Sequence, residues 1–131
     1  MKIVIIGGVA AGAGAAAKAR RTNEHAEVII LEQGQYVSFA NCGLPYYVGG
    51  TIADRDDLIL VSPELFRDRY NIDVRREHQG TSCDSKGKVE RGVCPDGPFE
   101  EHYDKLVLAM GGEPIKPPMP GSDLPGVYDR T

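Results

Sequence analysis

Cys42 is the residue of this chain with the clearest capacity for covalent chemistry. It stands between Asn41 and Gly43, and Asn41 is suited to cap a short helix that begins near the cysteine and ends before Gly49. The free N–H groups and the dipole of a helix N-terminus favour a thiolate, which is the nucleophilic form of cysteine. The alternative is a structural thiol, because a single cysteine often packs as a small buried hydrophobic group. These residues alone leave both interpretations open.

A glycine-rich turn near the N-terminus has the position of a dinucleotide-binding turn. It follows a short apolar run and opens an alanine-rich stretch, so a phosphate group can rest on the exposed N–H groups of the helix that follows. Its residues are Gly7, Gly8, Val9, Ala10, Ala11 and Gly12. Val9 occupies the middle glycine position of the G-x-G-x-x-G pattern. We expect Gly8 beside it to provide the conformational freedom that a glycine at that position would have given.

An acidic residue follows this turn at the distance expected for a ribose contact. Glu32 lies 20 residues after Gly12. A carboxylate there accepts hydrogen bonds from both ribose hydroxyls of an adenosine and repels a 2′-phosphate. The alternative is a glycine- and alanine-rich packing turn beside a surface glutamate. The order of strand, turn, helix, strand and acid favours the dinucleotide interpretation.

The elements that position these residues follow from local patterns. Short β-branched runs at 3–6 and 28–31 are typical of strands buried on both faces of a parallel sheet, and the stretch 10–21 consists of strong helix formers. Strand, turn, helix and strand make a βαβ unit, which predicts an α/β fold. Ser62 and Pro63 predict a helix over 63–70. Further predicted elements are a strand at 72–74, strands at 79–83 and 88–93 around a turn at 85–87, a strand at 106–109 and an extended crossing at 114–125.

Composition limits the classes of partner. The chain has 131 residues, enough for one domain whose core forms without disulfides. It carries 15 Lys and Arg against 19 Asp and Glu, for a net charge of −4, and no clustered basic stretch, which argues against nucleic acid as the main partner. No apolar run approaches the length of a membrane helix, so no membrane partner is expected. The 3 histidines have no ligand spacing, so the sequence predicts no metal site.

The other two cysteines, Cys83 and Cys94, flank the predicted turn at 85–87. We expect them to face each other across a hairpin as structural thiols that react slowly. Three cysteines without a C-x-x-C pair are a poor basis for a disulfide framework. The sequence therefore indicates a reducing cytoplasm as the location of the protein.

Four segments of the chain resemble one protein family. The most specific is Ser-Phe-Ala-Asn-Cys-Gly-Leu-Pro-Tyr-Tyr at residues 38–47, and the others lie at 5–12, 16–21 and 103–112. Together they resemble the coenzyme A-disulfide reductase branch of the FAD-dependent pyridine nucleotide-disulfide oxidoreductases. Related NADH oxidases, NADH peroxidases and persulfide reductases share the single cysteine. The resemblance implies a Rossmann-like FAD-binding βαβ domain with a short β-meander, incomplete relative to the full family fold.

The resemblance also implies which residues hold the cofactor. FAD would be bound by residues 7–12, by Glu32 and by the stretch that contains Ala109 and Gly111, and Cys42 would lie beside the isoalloxazine ring. Electrons would pass from NAD(P)H through the flavin to Cys42. The substrate would be a small disulfide or persulfide, and coenzyme A would be a ligand that forms a mixed disulfide with Cys42. In the oxidases and peroxidases the cysteine would instead pass through a sulfenic acid.

A substrate-binding group follows from helix geometry and from the same resemblance. Gly14, Lys18 and Arg21 fall at i, i+4 and i+7 on one helix face, so two cations can meet the phosphates of coenzyme A. The resemblance places Ser38 and Asn41 beside the same ligand. The alternative for Lys18 and Arg21 is a solvated basic face.

The chain departs from the family pattern in two places and in length. Gly14 replaces a residue that usually carries a hydroxyl, and His78, Gln79 and Gly80 replace an expected His-Glu-Val. Family members continue with an NAD(P)H domain and a dimerisation domain. Residues 1–131 thus correspond to the N-terminal part of an FAD-binding domain, expected to be inactive alone and homodimeric in the complete enzyme. Three hypotheses follow: a disulfide or persulfide reductase, an NADH oxidase or peroxidase, and a non-catalytic adenine-nucleotide binding module.

Overall fold

The computed structural model describes residues 1–128, and the elements in that part have the predicted α/β fold class. The α-helices are α1 (Ala10–Thr22), α2 (Leu44–Val48) and α3 (Pro63–Tyr70), and short 3₁₀ turns span Asn41–Gly43 and Arg55–Leu58. The strands are β1 (Lys2–Ile6), β2 (Glu27–Glu32), β3 (Asp73–Arg76), β4 (Gln79–Asp84), β5 (Val89–Cys94), β6 (Gly97–His102) and β7 (Lys105–Leu108).

Four parallel strands form the central sheet in the order β3-β2-β1-β7. β1 pairs with β2 from Lys2 opposite Glu27 to Ile6 opposite Leu31, so both strands end at the same edge. α1 connects them, which is the predicted βαβ unit. The carboxyl ends of β1, β2 and β7 therefore meet at one edge, which is where α/β sheets bind ligands.

Alternate side chains of β1 face two different layers. Ile5 packs with Ala16 of α1 and Phe66 of α3 on one face of the sheet. Val4 points to the other face and clusters with Tyr103, which directly follows the antiparallel sheet of β4, β5 and β6. Val4 and Ile5 are both fully buried. The central strand is thus covered on both faces, as its unbroken β-branched run predicts.

The contact between α1 and β1 requires a glycine. A Cβ built at Gly12 would overlap the carbonyl oxygen of Gly7, so any larger residue would push the helix away from the strand. Ala13 and Ala16 on the same helix are also buried. Small residues in α1 therefore bring the N-terminus of the helix close to the end of β1.

The structure confirms the predicted boundaries of α3. Ser62 Oγ accepts a hydrogen bond from the N–H of Leu65 at 3.2 Å, and Pro63 lies in the first turn. Asn71 ends the helix in the left-handed conformation, with a φ of 51°. Local sequence therefore determines both ends of this helix.

Two strands differ from the sequence prediction. β6 is not predicted, because Pro98 and its neighbouring glutamates are uncommon in strands. It forms because it pairs with β5 and because Lys2 and Arg75 neutralise the buried carboxylate of Glu101. β3 extends to Arg76, two residues beyond the predicted strand at 72–74, through its pairing with β2.

The two cysteines of the antiparallel sheet do not face each other. Cys83 lies opposite Glu90 in the register of β4 and β5, whereas Cys94 pairs with Gly97 across the β5–β6 turn. The prediction of a facing pair of thiols is wrong, because the tight turn before β5 pairs Cys83 with the second residue of that strand. Cys83 is also exposed, and its Sγ lies 3.2 Å from the hydroxyl oxygen of Tyr103.

The segment that follows β7 forms no helix or strand between residues 109 and 128. The prediction of an extended crossing at 114–125 is wrong in its last part, because residues 120–126 form turns, in which the N–H of Ser122 donates to the carbonyl oxygen of Met119 at 3.1 Å. Ile115 in this segment is 92% exposed. None of the helices in the described part of the chain is long and apolar enough to cross a membrane.

Candidate functional site

Two adjoining clefts open at the carboxyl ends of the parallel strands. The first, with a volume of about 380 Å³, contains Glu32 and is called the strand-end cleft. The second, with a volume of about 610 Å³, contains Cys42 and is called the thiol cleft. Val9, Ala10 and Asn41 line both clefts, so the two spaces share a wall.

The glycine turn forms one side of the strand-end cleft. Gly7 has a φ of 95°, and a Cβ there would overlap the carbonyl oxygen of Ala109. Only glycine is suited to this position, because the conformation is left-handed and the backbone beyond β7 approaches closely. α1 begins just after the turn, and Val9 at its capping position makes no side-chain hydrogen bond to the first turn. The uncapped N–H groups of this 13-residue helix are therefore available to an anion.

Glu32 is buried and binds the backbone of the protein itself. Its Oε2 accepts a hydrogen bond from the N–H of Gly8 at 2.6 Å, and its Oε1 accepts one from the N–H of Gly34 at 2.7 Å. Each carboxylate oxygen can accept a second hydrogen bond, so Glu32 retains acceptor capacity toward the cleft that it lines. Glu32 therefore also positions the glycine turn, a role that the sequence pattern does not predict.

The thiol cleft presents Cys42 on a short turn. Cys42 is exposed and lies in the 3₁₀ turn Asn41–Gly43, which leads directly into α2. The prediction that Asn41 caps this helix is wrong, because neither the turn nor α2 has a side-chain capping hydrogen bond. Gly43 is buried, and a Cβ there would lie 2.5 Å from a methyl carbon of Leu58. The packing of Gly43 against Leu58 anchors the turn that carries the thiol.

Ser38 connects the two clefts through its backbone. It adopts a left-handed φ of 52°, which is uncommon for a residue other than glycine. Its N–H donates to the carbonyl oxygen of Gly8 at 2.8 Å, and its carbonyl oxygen accepts from the N–H of Leu60 at 3.1 Å. The segment that leads to Cys42 is therefore tied to the glycine turn.

The far end of the thiol cleft is apolar. Phe66 and Tyr70 of α3 line it, with their ring centroids 6.1 Å apart, together with Leu60 and Val61. The sequence interpretation does not include these residues. Their i, i+4 spacing in α3 is the signal that could have identified a shared aromatic face.

The predicted site residues divide among three locations. Those on the thiol cleft are Gly14, Ser38, Asn41 and Cys42. Those on the strand-end cleft are Gly7, Val9, Ala10, Glu32, Ala109 and Gly111. Within residues 1–128, Gly8 and Gly12 are buried within the turn, and Ala11, Lys18 and Arg21 are exposed on α1; none of these five residues lines either cleft. The same residues contain no cluster of three or more side chains suited to a metal ion.

A parallel βαβ unit, a glycine turn at an uncapped helix and an acidic residue at the end of β2 define a dinucleotide-binding α/β domain of the Rossmann type. The chain belongs to the pyridine nucleotide-disulphide oxidoreductase family, whose profile matches residues 1–131. This confirms the family that the sequence segments resemble.

Three relatives show the extent of the similarity. The NADH oxidase of Methanocaldococcus jannaschii is 38% identical over 129 residues, which cover 98% of this chain and 29% of that protein. The coenzyme A disulfide reductase of Staphylococcus haemolyticus is 36% identical over 112 residues, which cover 84% of this chain and 26% of that protein. The structure of an NAD-dependent persulfide reductase from A. fulgidus has a TM-score of 0.89 at 40% identity, covering 94% of this chain and 24% of that one. The chain therefore spans less than a third of the length of each relative.

Proposed function

We propose that this chain is the FAD-binding, thiol-bearing N-terminal part of an NAD(P)H-dependent disulfide reductase that acts on coenzyme A disulfide or on a persulfide. The observation that carries the proposal is the position of Cys42 in the thiol cleft, directly beside Asn41, which lines both clefts. A nucleophilic side chain is thus one residue away from the wall of a dinucleotide cleft. Relatives named coenzyme A disulfide reductase and persulfide reductase support the substrate class.

The strand-end cleft is suited to the phosphates and ribose of FAD. The uncapped start of α1 offers N–H groups to a pyrophosphate, and the free acceptor capacity of Glu32 matches ribose hydroxyls. Ala109 and Gly111 line the opposite side of the same cleft. Bound there, FAD would supply the two-electron reduction that protein side chains do not perform by themselves, with NAD(P)H as its reductant.

Cys42 would act as the nucleophile in this proposal. Its thiolate attacks one sulfur of a disulfide R–S–S–R, the S–S bond breaks, and one R–S⁻ leaves. Cys42 then holds the other half as a mixed disulfide. Two electrons cleave this bond and return both sulfurs to thiolates. The exposure of Cys42 on its 3₁₀ turn gives the substrate access to the sulfur.

Two different surfaces at the thiol cleft would bind coenzyme A, one basic and one apolar. Gly14 lines the cleft, and helix periodicity puts Lys18 and Arg21 on the same face of α1, although neither of them lines the cleft. Both are exposed and can reach phosphate groups. Phe66 and Leu60 on the apolar wall are suited to the uncharged arm of the ligand.

Mass spectrometry of the complete, flavin-loaded protein tests this function. We expect a reducible coenzyme A adduct on Cys42 in the protein as isolated. Cys42→Ser should abolish disulfide reduction while the flavin absorbance is retained. Cys94→Ser is the matched control, because Cys94 is half-buried and lines neither cleft. Full reductase activity in Cys42→Ser, or no flavin absorbance after reconstitution with FAD, would overturn the proposal.

An NADH oxidase is the second candidate, because the relative of that name matches nearly the whole chain. In an oxidase or peroxidase Cys42 would cycle through a sulfenic acid. A sulfenic acid trapped on Cys42 by dimedone, without any coenzyme A adduct, would favour this reaction. An adduct without sulfenic acid would favour the reductase.

We further propose that the complete protein is a homodimer in a reducing cytoplasm and binds neither nucleic acid nor membranes. The net charge of −4 and the absence of a clustered basic stretch in the sequence support the statement on nucleic acid. Light scattering after size-exclusion chromatography measures the oligomeric state directly. A monomeric complete protein with full activity would contradict the dimer.

A further inference from the structure

The antiparallel sheet carries a second thiol with polar neighbours, outside both clefts. Cys83 of β4 is exposed, and its Sγ lies 3.2 Å from the hydroxyl oxygen of Tyr103. Glu90 of β5 is directly opposite Cys83 in the strand register. Directly opposed residues of antiparallel strands project from the same face, so the two side chains are neighbours. We call Cys83, Glu90 and Tyr103 the β4–β5 thiol cluster.

Glu90 is the unusual member of the β4–β5 thiol cluster. It is 3% exposed, and its Oε2 is buried without a hydrogen-bond partner among residues 1–128. Gly80 makes room for it, because a Cβ at Gly80 would overlap Oε1 of Glu90. A buried carboxylate without a partner is costly, since the charge has lost its contact with water. Burial therefore raises the pKa of Glu90, and the thiol of Cys83 opposes part of this rise.

The other charged groups around Glu90 are already engaged. Glu101 lies opposite Glu90 on the β6 side, and Lys2 and Arg75 hold its carboxylate. Asp84 on the β4 side accepts hydrogen bonds from the backbone of the following turn. The parallel sheet contributes apolar side chains to the core that it shares with the antiparallel sheet. The thiol of Cys83, directly opposite in the strand register, is therefore the proton donor that we assign to the unpaired carboxylate of Glu90.

Tyr103 is the second polar neighbour of the Cys83 sulfur. Its hydrogen bond with Cys83 raises the pKa of Tyr103 to about 12. The phenol thus keeps its proton at neutral pH. Its hydroxyl donates to the carbonyl oxygen of Asp84 at 3.4 Å and would turn toward the sulfur when Cys83 is a thiolate. The hydroxyl therefore lies within hydrogen-bond distance of a sulfur that is also exposed to water.

We propose that Cys83 is a second thiol–disulfide exchange site, in which Glu90 takes the thiol proton, Tyr103 hydrogen-bonds the sulfur, and the partner is a low-molecular-weight disulfide. The proton transfer moves one negative charge from a buried carboxylate to an exposed sulfur. The Cys83 thiolate attacks R–S–S–R, the S–S bond breaks, one R–S⁻ leaves, and Cys83 retains the other half as a mixed disulfide. The disulfide is the oxidant, so no further co-reactant is needed.

The pH dependence of alkylation tests the proton transfer. Rates of reaction with iodoacetamide are measured for each cysteine by peptide mass spectrometry, in the complete flavin-loaded protein, from about pH 5 to about pH 9. An isolated thiol loses reactivity about tenfold per pH unit below its pKa, because only the thiolate reacts. When a carboxylate accepts the proton, a constant fraction of thiolate persists between the pKa of the carboxyl and the pKa of the thiol. We therefore expect the rate at Cys83 to level off on the acidic side, and the rate at Cys94 to keep falling.

Two variants and one control separate the roles in the β4–β5 thiol cluster. Glu90→Gln keeps the shape but removes the proton acceptor, so the level part of the profile should disappear and the rate at Cys83 near about pH 6 should fall about tenfold. Tyr103→Phe should lower the rate across the profile and leave the level part in place. Glu100→Gln is the matched control, because Glu100 is exposed and pairs with Arg91, and it should leave the profile unchanged.

Glutathione disulfide tests the exchange reaction itself. We expect a mixed disulfide on Cys83 that dithiothreitol releases, formed more slowly in Glu90→Gln, while modification of Cys42 is the same in both proteins. The exchange site at Cys83 and the function proposed for Cys42 can therefore fail separately. A rate at Cys83 that falls about tenfold per pH unit in the unaltered protein would overturn the inference, and so would a level region that survives in Glu90→Gln. The unaltered profile alone decides the question if Glu90→Gln does not fold.

Discussion

The guanidinium of Arg20 in α1 is hydrogen-bonded to the backbone carbonyl of Tyr70 at the end of α3. Arg20 Nε donates to the Tyr70 oxygen at 3.0 Å, and Nη2 donates to the oxygen of Asn71 at 2.6 Å. A third bond runs from Nη1 to the carbonyl oxygen of Glu24 at 2.6 Å. The last carbonyls of a helix lack partners within the helix, and Arg20 supplies donors to this end of α3. One side chain therefore fixes the end of α3 against α1, and Tyr70 at that end lines the thiol cleft.

Arg20→Lys should weaken the attachment of the end of α3 to α1 beside the thiol cleft. Lysine lacks the fork of donors that reaches two carbonyls at once, so we expect the free energy of unfolding to fall by about 1–2 kcal/mol. In the complete protein we expect KM for the disulfide to rise while kcat changes little, because Cys42 is not displaced. Urea denaturation and steady-state kinetics measure the two effects. Arg67→Gln is the control, since Arg67 is exposed and pairs with its neighbour Asp68. Lower stability with an unchanged KM would show that Arg20 has no influence on the cleft.

Glu32→Ala should weaken the retention of FAD. The substitution leaves the N–H groups of Gly8 and Gly34 without their acceptor and removes the carboxylate from the strand-end cleft. We expect a loss of about 1–3 kcal/mol in FAD affinity, measured by flavin fluorescence during reconstitution of the complete protein. Glu24→Gln is a suitable control, because Glu24 is exposed at the opposite end of α1. An affinity equal to that of the control would assign Glu32 a purely structural role.

The elements predicted correctly from the sequence depend on residues that are close in the chain. Ser62, Pro63 and Asn71 set the ends of α3 through its own backbone groups, so no distant partner is needed. The glycine turn likewise follows from the need for a close approach between Gly12 and Gly7. Gly7, Val9 and Ala10 of this turn line the strand-end cleft, so the place of that cleft in the fold could be predicted from a local pattern.

The features that the sequence does not predict depend on distant partners. Glu101 stabilises β6 only because Lys2 and Arg75 reach it from the parallel sheet. Helix periodicity places Lys18 and Arg21 on one face of α1, but it does not specify which neighbour that face meets, and the structure leaves both exposed outside the clefts. The aromatic end of the thiol cleft could not be predicted for the same reason, because it forms only when α3 packs beside α1.

Two glycines of α1 should respond in opposite ways to alanine. Gly12→Ala places a Cβ against the carbonyl oxygen of Gly7, and we expect a loss of about 3 kcal/mol in the free energy of unfolding. Gly14 has open space around its Cα, so Gly14→Ala should raise that free energy by about 0.5–1 kcal/mol through the higher helix propensity of alanine. Urea denaturation of both variants provides the comparison. Equal effects would mean that α1 moves freely relative to β1.

Glu101→Gln should lower stability at neutral pH and have no effect in acid. Burial raises the pKa of Glu101, but hydrogen bonds from Lys2 and Arg75 outweigh it and hold the pKa below its usual value. The ionised carboxylate then contributes stability that is fully present above the unfolded pKa of about 4.3 and is lost as the pH falls through the folded pKa. We expect a loss of about 1–2 kcal/mol near neutral pH, since both cations keep contact with water. The denaturation curves of both proteins should converge as the pH falls below the folded pKa of Glu101.

Glu90→Gln should have the opposite pH dependence, although Glu90 is the direct neighbour of Glu101 across β5 and β6. Burial raises the pKa of Glu90 above its unfolded value, so the folded state binds the proton more tightly than the unfolded state does. The stability contributed by the protonated Glu90 is then fully present below its unfolded pKa of about 4.3, and it is lost as the pH rises through the folded pKa. A neutral glutamine has no such dependence, so Glu90→Gln should gain in relative stability as the pH increases toward neutrality. Urea midpoints measured across this range test the sign. If the stability of Glu90→Gln relative to the unaltered protein fell with rising pH, Glu90 would have to be stabilised as a carboxylate, and its role as the proton acceptor for Cys83 would lose its physical basis.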